Sequence, residues 1–174
     1  MAKIPFSKLG LKVNSDIVVL PYNEYNIEVR KYLPMEEKAT LVSNVLNLSS
    51  DENGYYNPMR VRVFLTLETV YAYTNLTFTT KMKEDVFKLY DTLVSSGLFT
   101  DIVNCIPVDE WESLQETVWN TISNIYEYKN SVMGILDTIS ADYSNLSLDA
   151  TEIQKNIADP ENLELVRSIL TKLG

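Results

Sequence analysis

The sequence predicts a mainly α-helical protein, a helical bundle around one long central helix, with a small β-hairpin near its N-terminus. Three observations predict it. Apolar and aromatic residues recur at helical spacing through residues 108–139. Two short runs rich in β-branched and aromatic residues, 16–20 and 25–33, flank the turn-forming PYNEYN. Between these regions, proline, asparagine and glycine stand where helices start and stop.

Residues 1–15 read as an arm. Lys3, Lys8 and Lys12 alternate there with Ile4, Phe6, Leu9, Leu11 and Val13, and Pro5 and Gly10 interrupt any regular element. The apolar side chains suit docking, first onto the arm's own domain, alternatively onto a neighbouring subunit. Residues 16–174 then read as a single helical domain that begins with the hairpin, 16–33. In its second strand Ile27 and Val29 alternate with Glu28 and Arg30, so one face is buried and the other wet. A two-stranded hairpin is marginal alone and must lean on helices or pair with another chain.

Pro34 opens the next helix, with Glu36 and Glu37 at its positive end and Leu41, Val42, Val45, Leu46 and Leu48 as its stripe. A polar loop, 49–54, separates it from Asn57 and Pro58, a cap and first helical position. The following run, 60–73, alternates as a strand would, yet its length and the Asn-Pro start favour a helix. A threonine-rich loop is expected over 75–83. A helix over 84–96 closes at Gly97 in the left-handed cap position, and a shorter one covers 98–106.

The central run follows Pro107. Its seam is Trp111, Leu114, Val118, Ile122, Ile125, Val132, Leu136 and Ile139. Asp109, Glu110 and Glu112 complement the helix dipole at its start. Lys129 falls on the seam and Gly134 lies inside the helix. They fit a lysine snorkelling off one long amphipathic helix; the alternatives are a register-setting polar position in an oligomer and a close backbone approach at the glycine. A short helix is expected over 148–158. Asp159 and Pro160 start the last one, striped by Leu163, Val166, Ile169, Leu170 and Leu173.

Composition narrows the chemistry. At 45% hydrophobic and 22% charged, the 174-residue chain is in the globular range. Its net charge of -9 opposes direct binding to nucleic acid, whose phosphates require clustered Lys and Arg. Cys105 is the one cysteine, so no intrachain disulfide forms; its apolar neighbours suggest a buried thiol in a reducing compartment. No stretch approaches the roughly 20 apolar residues of a membrane span, and nothing resembles a signal peptide. The sequence contains no histidine, which removes the commonest general base and zinc ligand together. Its 5 glycines form neither a GxGxxG nor a Walker loop. We therefore expect no enzyme, cofactor or metal. Carboxylate pairs at Glu36 and Glu37, or among Asp109, Glu110 and Glu112, sit at helix starts, where capping accounts for them better than catalysis does. The 11 tyrosines suit a core with satisfied hydroxyls or a protein interface.

The segments IEVRKYLPMEEKATLVSNVL (27–46), YNPMRVRVFLTLETVYAYTNLTFT (56–79) and the whole of 131–174 resemble proteins of the structural-gene modules of tailed phages and prophages of Gram-positive bacteria. Within that group, a small acidic chain with an early hairpin followed by helices is similar to tail assembly chaperones, although those are often shorter. The resemblance implies a non-enzymatic assembly protein working in the bacterial host cytoplasm, with tail tube or tape measure proteins as partners and a homo-oligomer as an option. Head-tail connectors and minor capsid or tail proteins of the virion are the alternative, and an acidic inhibitor of a host defence protein is another. The surfaces expected to bind are the arm (Ile4, Phe6, Leu9), the hairpin (Ile27, Val29) and the last stripe (Leu163, Val166, Leu170).

Overall fold

The computed structural model describes residues 3–145 and is mostly helical, with one two-stranded antiparallel sheet near the N-terminus. The chain divides into two compact units, Met1–Ile125 and Tyr126–Gly174. That boundary falls inside the run 108–139.

In the first unit, β1 (Ile17–Tyr22) and β2 (Tyr25–Arg30) make the hairpin. A turn of only two residues joins them because Asn23 accepts a left-handed φ of 53°, which asparagine tolerates better than most residues. The register sets Leu20 opposite Ile27 and Val18 opposite Val29. Ile27 and Val29 are 4% and 0% exposed, so both are spent on the chain's own core and offer no contact to a partner. The hairpin rests on α5 (Leu98–Cys105). The outer edge of β2 is covered: Val29 bridges to Thr74, Asn75 N donates to Glu28 O at 3.3 Å, and Glu28 N donates to Asn75 Oδ1 at 3.1 Å.

Helix α1 (Met35–Ser49) starts one residue after Pro34 and turns Leu41, Val42 and Val45 inward. Leu46 is half-buried and Leu48 is exposed, so the stripe is narrower than the spacing suggests. In α2 (Pro58–Tyr73) the Asn-Pro start prevails over the strand-like alternation: the Asn57 side chain accepts from the N–H groups of Met59 at 2.9 Å and Arg60 at 3.3 Å. The alternation has its own cause. Val61, Val63, Leu65, Leu67 and Val70 are all buried, on most sides of the helix, so no single stripe exists. The two helices run antiparallel. The Arg60 guanidinium donates to Leu48 O at 2.9 Å, and the Asn44 amide donates to Glu68 at 2.8 Å.

A short helix, α3 (Thr80–Glu84), replaces part of the expected threonine loop, because Thr79 caps it by accepting from Met82 N at 3.3 Å. Then come α4 (Val86–Ser95), the left-handed Gly97 at φ 79°, and α5. Helix α6 (Val108–Lys129) buries Leu114, Val118 and Ile122, and Trp111 meets Phe99 edge to face with ring centroids 6.0 Å apart.

The expectation of one long central helix is corrected. Helix α6 ends at Lys129, and α7 (Val132–Asn145) begins after a turn at Asn130 and Ser131. Ser131 is a helix cap: its Oγ donates to Tyr128 O at 2.6 Å and accepts from Gly134 N at 3.1 Å. Gly134 makes the turn possible, since a Cβ there would lie 2.1 Å from Tyr128 O. The close backbone approach, one of the alternatives at this glycine, is what the chain uses. Val132 and Leu136, expected on the seam, are 76% and 54% exposed. The expected helices over 148–158 and from Pro160 onward lie outside the described residues.

Candidate functional site

The most organised polar cluster is built around Glu110, which sequence reasoning placed at a helix start as a dipole partner. Its residue is 8% exposed, whereas its neighbours Asp109 and Glu112 are exposed. Oε1 accepts from Leu33 N at 3.1 Å and from the Tyr73 hydroxyl at 2.8 Å; Oε2 accepts from Lys38 Nζ at 2.7 Å. Lys38 also lies over the Tyr32 ring, 4.3 Å from its centroid. One carboxylate thus joins the link between β2 and α1, the body of α1, the end of α2 and the start of α6. Burial, first, and the hydrogen bond to Glu110 push the Tyr73 hydroxyl far above its ordinary value, so it remains a neutral donor throughout the working pH range.

A signal for this role was present. Glu110, Leu114, Val118 and Ile122 are spaced four apart, so the carboxylate sits on the buried seam of α6. What the arrangement can do is fasten. Its oxygens already accept three hydrogen bonds and are shielded from water, whereas a general base needs an oxygen facing a substrate.

The second acidic pair resolves differently. Glu37 binds the Arg30 guanidinium in a two-point contact at 2.6 and 2.9 Å, and this hydrogen bond holds the Glu37 carboxyl below its usual value. Arg30 also donates to Ala72 O at 3.5 Å. Glu36 is exposed. The Cys105 thiol is half-buried, not fully buried; burial, then the charge of Asp101, raises it above its ordinary value. Among the described residues, no group of three or more Asp, Glu, Cys or His could hold a metal ion, and no helix is long and apolar enough to cross a membrane.

A groove of the first unit runs between α1 and α6. It has a volume of about 390 Å³, with Met35, Ala39, Val42, Leu46 and Leu114 in its wall and Lys38 at one side. It is open and mostly apolar.

Of the residues expected to bind partners, Ile4, Phe6 and Leu9 are 73%, 74% and 53% exposed, on an arm whose regular structure is one short 3-10 turn, Phe6–Leu9. The arm is not docked on its own domain, contrary to the first expectation for it. Ile27 and Val29 are core, and Leu163, Val166 and Leu170 lie outside the described residues.

Against protein-family models, curated proteins and solved structures, the chain finds no match.

Proposed function

We propose that this chain is a non-enzymatic assembly protein of a tailed phage or prophage that works by contacting other proteins, and most specifically a tail assembly chaperone for tail tube or tape measure proteins. The observation that carries the contact role is the arm, where Ile4, Phe6, Leu9, Leu11 and Val13 stand between 53% and 74% exposed. Isolated exposed apolar residues are ordinary, but five within ten positions of one segment mark a surface to be covered. The buried carboxylate supports the same reading, because Glu110, the least exposed acid among the described residues, is occupied in fastening helices. The phage assignment rests on the sequence resemblance over 27–46, 56–79 and 131–174.

The test has two parts. Co-expression with the tail tube and tape measure proteins of the same gene cluster should give a complex that the triple variant Ile4→Asp, Phe6→Asp, Leu9→Asp loses, with its helical circular dichroism unchanged. Mass spectrometry of purified virions separates the roles: a chaperone is absent from the particle, and a connector or minor capsid subunit remains in it. Turnover of a small molecule by the purified chain would overturn the proposal outright.

A further inference from the structure

Two facts fix which backbone groups of β1 face outward. The two-residue turn makes Tyr22 and Tyr25 a hydrogen-bonded pair, and Lys31 N donates to Asp16 O at 3.0 Å, in the same alternation. Val18, Leu20 and Tyr22 therefore aim their N–H and C=O groups at β2, as Asp16 does its C=O, whereas Ile17 and Val19 aim theirs, and Pro21 its C=O, away. Among the described residues nothing pairs with that outer edge, while the opposite edge of the sheet is covered by Thr74 and Asn75. Natural edge strands are usually blunted by charges, bulges or coverage. The strand IVVLPY carries no charge, and its one guard is Pro21.

The side chains repeat the message. Ile17 and Val19 are 51% and 54% exposed on the wet face, between Arg30 and Glu28 of β2. The period of two also continues upstream, with Leu11 and Val13 at odd positions and Lys12, Asn14 and Asp16 at even ones. That is strand patterning in a stretch that has no strand beside it.

We propose that β1 is a self-association edge, pairing antiparallel with β1 of a second copy to give a four-stranded sheet ordered β2-β1-β1-β2 about a two-fold axis. A second copy is the occupant that fits. In a chain of net charge -9, this strand carries no charge of its own to repel the same strand of an identical molecule. Because only odd residues face outward, odd must meet odd, which gathers Ile17 and Val19 of both copies, with Leu11 and Val13, on one face. A strand pair buries little area, so the dimer is concentration-dependent. The inference goes beyond the assembly role and does not depend on it.

Sedimentation velocity of the full chain should show the mass doubling as concentration rises. Ile17→Lys with Val19→Lys should abolish that doubling and leave the circular dichroism intact, whereas Val132→Lys, at another exposed apolar residue, should leave the doubling unchanged. Hydrogen exchange on the unmodified chain keeps the proposal testable should the lysine variant misfold: the Ile17 and Val19 amides should exchange more slowly as concentration rises. A monomer at every concentration, a dimer that survives the double lysine variant, or exchange at Ile17 and Val19 independent of concentration would each overturn it.

Discussion

Helices α2 and α6 are opposites in what they display and what they do. The stripe of α6 is easy to see, every third or fourth residue apolar, and that helix buries one side of itself. Helix α2 shows no stripe because it is buried on most sides, with α1, α4 and α5 all packed against it. Periodicity is a record of partial exposure. A helix at the centre of a unit loses the contrast by which helices are recognised, and its valines and threonines then imitate a strand.

That comparison can be broken at the joint between the two helices. Glu110→Ala should cost most, about 3–5 kcal/mol by thermal or urea unfolding, because it leaves the Leu33 amide and the Tyr73 hydroxyl buried, and Lys38 half-buried, without their acceptor. Pairing it with Lys38→Met should recover part of the loss. Next in size is Leu67→Ala in α2, where Leu67 is 1% exposed: the cavity should cost about 2–5 kcal/mol, while Leu136→Ala in α7, at 54% exposed, should stay within about 0.5 kcal/mol. Spacing alone, which put Leu136 on the central seam, would not predict that order.

Gly134→Ala sharpens the contrast at the other end of α6. The added methyl cannot coexist with Tyr128 O at 2.1 Å, and alanine favours helix over glycine by about 1 kcal/mol. The turn should give way toward continuous helix, read as helical carbon chemical shifts appearing at Asn130 and Ser131. Unchanged shifts there would mean that Ser131 enforces the break without the glycine.

The smallest effect belongs to Glu37→Gln. The Glu37 carboxyl is lowered in the fold by Arg30, so its contribution is present above the ordinary glutamate value and disappears as pH falls through the lowered one. Both side chains are well exposed, at 37% and 47%, which limits the pair to about 0.2–1 kcal/mol. The wild type should be slightly more stable than the variant at pH 7 and equal to it once the carboxylate is protonated.

The local punctuation was legible in the sequence. Asn57 with Pro58, Gly97, and the PYNEYN turn mark boundaries through interactions within a few residues, and those survive any tertiary arrangement. Three features were not legible, for separate reasons. The break at Ser131 rests on a single capping serine and a glycine, which an eight-position seam outweighs in any count of apolar spacing. The alternation put Ile27 and Val29 on a buried face, but that α5 and residues 74–75 of the same chain close over the hairpin depends on segments far away in the sequence. Glu110 was overlooked because an acid at a helix start already has a sufficient electrostatic reason to be there. Its fourfold spacing from Leu114 and Val118 was the sign that it turns inward.

Glu110 stands 77 positions after Leu33 and 72 after Lys38. A polypeptide leaving the ribosome has therefore produced the hairpin, α1 and α2 well before the acid that ties them together is made. Until then the lysine keeps its hydration and the end of α2 stays loosely held, so the first unit commits to its final packing late in synthesis. Premature termination ahead of that codon would release a product whose α2 end is never fastened, a natural substrate for quality-control proteases.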